Sequence, residues 1–142
     1  MNIKKFYFQI YHSFGPVYRL IYKKGKWLYE VELEIEPIYI ERYIRASPSQ
    51  YQHNEIFPQV NSLPEQVFPS EARINRFVDY LNRYCKHWKK EYKEDIYDGM
   101  CWEINVHIDD FIFKSVGLGE TPKNFEAMCE RLLYLTEGKY FG

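Results

Sequence analysis

The sequence predicts an α+β domain: a mostly antiparallel sheet of about five strands, in the order β-β-β-α-β-β-α, with two helices on one face. Three observations carry this. Trp27, Tyr29, Val31, Leu33 and Ile35 alternate with Leu28, Glu30, Glu32, Glu34 and Glu36, which is the period of a half-buried strand. Two later segments place apolar side chains at helical spacing instead. The chain also holds 14 Tyr and 10 Phe in 142 residues, and such rings favour pleated surfaces.

The first strand covers roughly Lys5 to Tyr11, and the run from His12 to Pro16 turns the chain. The second strand runs from about Val17 to Lys23. Lys24-Gly25 then forms a two-residue hairpin loop, where glycine supplies a positive φ. That loop fixes the register. Tyr22 faces Trp27, Leu20 faces Tyr29, Tyr18 faces Val31, and Arg19 lies opposite Glu30 on the other face. Such aromatic and opposite-charge pairs stabilise a sheet.

Pro37 keeps residues 37–44 away from a central strand position. They extend the third strand past a bulge or form a short edge strand. Pro48, Pro58, Pro64 and Pro69 make residues 45–69 a long Pro-rich loop within a single domain spanning 1–142. A helix starts near Ser70, with Pro69 and Ser70 before Glu71. Ile74, Phe77, Val78, Leu81, Tyr84, Cys85, Trp88 and Tyr92 share one stripe, so the helix runs to about Lys93. Asp98-Gly99 turns the chain.

A second hairpin follows. Trp102, Ile104, Val106 and Ile108 form its apolar face, Asp109-Asp110 its loop, and Phe111 and Phe113 its return. Residues 117–122 are a loop in which Gly117 and Gly119 allow unusual backbone angles. The last helix opens at Lys123-Asn124, with Asn124 as the N-cap candidate. It buries Phe125, Met128, Cys129, Leu132, Leu133 and Leu135, and Gly138 stops it.

The C-terminal third reads Asp98-Gly99, Trp102-Glu103-Ile104-Asn105-Val106, Lys114-Ser115-Val116-Gly117 and Pro122-Lys123-Asn124-Phe125. It resembles a recurrent pattern in small uncharacterised bacterial proteins: D-G-x-x-W-x-I-x-I, a turn, then K-x-x-G-x-N-x-x-P-x-N-F opening a helix. The first Asn of that pattern is Gly119 in this chain. The resemblance covers about 30 residues and implies a hairpin-loop-helix arrangement, with no activity attached.

Composition narrows the function. Nineteen basic and 20 acidic side chains give a net charge of −1, which argues against a nonspecific nucleic-acid binder. Three cysteines without a C-x-x-C pair point to a reducing, cytoplasmic setting. The N-terminal apolar run is too short and too polar for a leader, and no stretch is long enough to span a membrane. Cys85 and His87 point apart on a helix. Glu103 and His107 share a strand face but stand roughly 13 Å apart, too far for one metal. Gly117 and Gly119 give G-x-G, but position 122 is proline, so the dinucleotide fingerprint is missing. Cys85 and Cys129 sit on apolar stripes as inert thiols. No catalytic, metal or cofactor site is expected.

What stands out is the ladder Glu30, Glu32, Glu34, Glu36, with Arg19 opposite. Its plain reading is a solvated face that discourages edge pairing. Its sharper reading is an acidic patch for a basic protein partner. The leading expectation is a non-enzymatic protein-binding domain of inhibitor or immunity type. The alternative is a small enzyme or ligand binder with its site between the sheet and residues 45–69, drawing on Tyr51, His53, Cys101 and His107. A homodimer joined through an aromatic sheet face is a third reading.

Overall fold

Alternation along the chain builds a seven-stranded mixed sheet flanked by two helices. The computed structural model describes residues 2–12, 15–32, 64–94, 100–109 and 111–141. The strands are β1 (Ile3–His12), β2 (Val17–Lys23), β3 (Lys26–Glu32), β4 (Glu65–Val67), β5 (Glu91–Lys93), β6 (Met100–Ile108) and β7 (Phe111–Leu118). The helices are α1 (Glu71–Tyr80), prolonged by a π-helical turn over Leu81–Cys85, and α2 (Phe125–Leu135). The strand order is β4-β3-β2-β1-β6-β7-β5. Every neighbouring pair is antiparallel except β5 and β7.

The first hairpin has the expected register: Tyr22 pairs with Trp27, Leu20 with Tyr29, Tyr18 with Val31 and Arg19 with Glu30. Lys24 and Gly25 both take positive φ, 52° and 79°, as a type I′ turn requires. Residues 33–36 of the acidic ladder, including Glu34 and Glu36, lie outside the described residues, as do 37–44 and Tyr51 and His53.

Two strands exceed the five expected, and both are three residues long. Glu65-Gln66-Val67 pairs with β3 inside the segment expected to be loop. Glu91-Tyr92-Lys93 pairs in parallel with β7, where the helix was expected to continue. The helix ends instead in the π-helical turn, with Lys86 N–H bonding Leu81 O, followed by a tighter turn in which Trp88 N–H bonds Cys85 O, each at 3.0 Å. Trp88 and Tyr92 kept the helical spacing for another reason. Both rest on the ring of Trp102, with centroids 5.7 and 5.9 Å away. Short edge strands offer little unpaired backbone to another chain.

Both helices pack on the same face. Phe6, Phe8, Trp102, Ile104, Val106 and Ile108 point toward them and are buried. Phe6 meets Phe77 of α1 at 5.4 Å, and Trp102 meets Phe125 of α2 at 4.9 Å. Burying such side chains contributes roughly 1.5–3 kcal/mol each. No helix among the described residues is long and apolar enough to cross a membrane.

Ser70 caps α1, its Oγ accepting from Arg73 N–H at 3.2 Å. Asn124 departs from expectation. It stands at the N-cap of α2 with φ 72° and makes no side-chain cap bond. Asparagine tolerates this left-handed conformation better than most residues, so its contribution is backbone shape. Gly117 departs as well. A Cβ there would lie 2.0 Å from Trp102 Nε1 and 2.7 Å from Glu120 O. Glycine is required for the close approach of the indole, while Gly119 does take positive φ, 76°.

Two tryptophans therefore make opposite predictions. Trp102 Nε1–H donates to Glu120 O at 2.9 Å, whereas Trp27 Nε1 is buried without a partner among the described residues. Gly117→Ala should cost about 3 kcal/mol by overpacking. Trp102→Phe should cost about 2 kcal/mol, and Trp27→Phe under about 1 kcal/mol, because it also removes an unsatisfied donor. Urea denaturation of the three variants checks the order, and equal losses for the two tryptophan variants would contradict it.

Candidate functional site

From Lys5 on, odd-numbered residues of β1, with those of β6 and with Arg19, Glu30 and Glu32, face away from the helices and form the outer face of the sheet. Register brings its polar side chains together: Gln9 pairs with Arg19 and with Glu103, and Arg19 pairs with Glu30. Arg19 Nε–H donates to Gln9 Oε1 at 2.6 Å, and Tyr7 O–H donates to the same oxygen at 2.8 Å. Arg19 Nη1 donates to Glu32 and lies 3.4 Å from Glu30 Oε1. The side chains of Arg19, Glu30 and Glu32 are 18%, 20% and 13% exposed.

This geometry changes the meaning of the acidic ladder. Two of its four glutamates are engaged by one guanidinium and are mostly withdrawn from water. Burial alone would lower the Arg19 pKa, but the bond and charge of Glu32, with Tyr7 and Glu30, hold it above its usual value. Burial pushes the Tyr7 hydroxyl up, against the opposing charge of Arg19, and Glu103 and Glu30 push the same way as burial. Glu103 itself is exposed.

Two strands over from Gln9, β7 adds a row to the same face. Ile112, Lys114 and Val116 lie there, opposite His107, Asn105 and Glu103. Ile112 and Val116 are 62% and 37% exposed. Cys101 and His107 share this face but sit at opposite ends of β6, about 20 Å apart by strand rise. Cys101 is buried. The structure does not bring these two candidates together. Among the described residues, no three His, Cys, Asp or Glu side chains converge as metal ligands.

A second feature escaped the sequence. On the helix side, the ends of β1 and β6, α2 and residues 140–141 enclose a groove of about 470 Å³. Ile10, Phe125, Phe141 and Leu133 give it an apolar lining, and Glu126, Glu130, Cys129 and His12 add polar groups. Its walls are held from outside. Tyr29 O–H donates to Tyr140 O at 2.5 Å, Phe141 packs on Tyr29 at 5.3 Å, and Lys139 pairs with Glu65 at 2.5 Å. β1, β6, the loop at Thr121, α2 and residues 140–141 all supply the lining, so no local motif announces it. The only local signal is Glu126 and Glu130, one turn apart around Cys129.

Cys129 is no nucleophile in its present state. Burial, then the charges of Glu126 and Glu130, push its thiol up to about 12. Burial and the charge of Cys129 do the same to Cys85. No protein-family model matches the chain, and no curated protein or solved structure matches it either.

Two outcomes follow. Arg19→Met leaves Glu30 and Glu32 without their cation and should cost about 2 kcal/mol in urea denaturation; an unchanged midpoint would show that the network is energetically neutral. The thiols set an alkaline limit. In the unfolded chain they ionise near 9, whereas in the folded chain they keep their protons to about 12. The folded state therefore binds more protons between those values, and stability falls as pH rises through that window. Below pH 9 the thiols contribute no slope. A Cys85→Ala/Cys129→Ala variant should lose stability less steeply above pH 9, as denaturation at stepped pH would measure.

Proposed function

We propose that the protein is a non-enzymatic binding domain that recognises another protein through the outer face of its sheet. An inhibitor or immunity-type role is one concrete form. The observation that supports this reading is the mixed character of that face: a hydrogen-bonded network on Arg19 and, across β1 and β6 on the same face, exposed Ile112 and Val116.

Apolar side chains set next to fixed polar groups are what an interface core needs. The network holds Tyr7, Gln9, Arg19 and Glu32 in place before any partner arrives. Less side-chain freedom is then lost on association. Lys5 and Lys114 also lie on this face, so its charge is mixed, and Glu30, Glu32 and Glu103 offer a local anionic cluster to a basic group of the partner.

The test is capture from native lysate, followed by rebinding of the purified partner. Glu103→Lys and Ile112→Asp should each weaken binding at least about tenfold. Glu71→Lys, on the helix side, should bind like wild type. A partner held equally by every variant would place recognition elsewhere. Light scattering at two protein concentrations separates a foreign partner from self-association, and a concentration-dependent dimer lost in Ile112→Asp would replace this reading by the homodimer.

A further inference from the structure

We infer that the groove beside α2 binds a small organic cation: one ammonium group on an apolar body of about one ring. The outer face plays no part in this inference. Three features of the groove point to such a ligand.

The first is size and lining. About 470 Å³ lies in the range of small-molecule sites, which are mostly apolar with a few placed polar groups. Ile10, Phe125 and Phe141 are buried and form a firm floor.

The second is charge. Glu126 and Glu130 are exposed and stand on one face of α2, four residues apart. Neither has an ion-pair partner among the described residues, although Glu32, Glu65, Asp79 and Glu137 each have one. The adjacent cation, Arg131, is committed elsewhere, its guanidinium 5.2 Å from the ring centre of Tyr80. An ammonium over the groove would meet both carboxylates, and a carboxylate would meet repulsion.

The third is the aromatic lining. Phe125, Tyr140 and Phe141 line the groove, and aromatic rings attract cations placed over them. Tyr29 and Lys139 fix residues 139–141 from behind, so little ordering is needed when a ligand enters.

The experiment is an amide-detected NMR titration of the full chain with phenethylamine. Phenylethanol and 3-phenylpropionate serve as the neutral and anionic probes of similar shape. Phenethylamine should shift the amides of residues 126–133 and 140–141 saturably. Phenylethanol should bind more weakly, and 3-phenylpropionate should leave those amides unmoved. Glu126→Gln/Glu130→Gln should weaken phenethylamine at least about tenfold. Glu126→Lys/Glu130→Lys should reverse the preference toward the anion, a readout that loss of folding cannot imitate. No saturable shift with phenethylamine, an equal response to 3-phenylpropionate, or full affinity in the glutamine variant would each overturn the inference.

Discussion

The indole of Trp102 lies so close to Gly117 that position 117 has no room for a single methyl group. This contact lets the indole lie flat across the backbone of β7, its ladder partner. The ring also carries the rest of the C-terminal half. Its N–H holds the loop at Glu120, and its faces and edges meet Trp88, Tyr92 and Phe125. Those four contacts anchor the segment after α1, the parallel edge strand and the first turn of α2. Gly119 N–H adds a 2.7 Å bond to Met100 O, closing the loop on the start of β6. Interiors are close-packed, so a large ring held on several sides acts as a spacer that each neighbour must respect.

Around that anchor the two sides of the sheet have separate tasks. The inner side is aromatic and aliphatic, and the helices seal it. The outer side is ordered by polar bonds instead. Arg19 is its organiser: it accepts the charge of two glutamates while sharing Gln9 with Tyr7. A charged group in a half-dry position needs such partners, because its desolvation would otherwise outweigh its attraction. The groove beside α2 shows the opposite situation, since Glu126 and Glu130 line it with apolar rings and have no ion-pair partner among the described residues.

Local pattern carried much of the architecture. The alternation from Trp27, the turn at Lys24-Gly25 and the facing of Tyr22 with Trp27 were all legible, because period and turn geometry together fix a register. Ser70 was legible as a helix start. The three-residue edges at Glu65 and Glu91 were not, since so short a run has no measurable period. Trp88 and Tyr92 misled because packing on Trp102 imitates a helical stripe. Gly117 looked like a backbone device, and its steric role depends on a ring fifteen positions earlier in the chain. The outer-face cluster was half legible: Arg19 opposite Glu30 followed from register, but the reach to Glu32 and the sharing of Gln9 required three strands in place. The groove was illegible, being assembled from separated segments.

The central pairing of β1 with β6 has a kinetic consequence. Phe8 and Ile104 are neighbours across the ladder, yet most of the chain separates them. The hairpin of β2 and β3 can form on its own within microseconds, as can the hairpin of β6 and β7. Neither half has a complete core until β1 joins them. The long loop must close before those contacts give any return, and its entropy is lost first. Such non-local topology places folding toward the slow end for a domain of this size. It also makes the sheet one cooperative unit, in which unzipping β1 from β6 opens the inner layer from its centre.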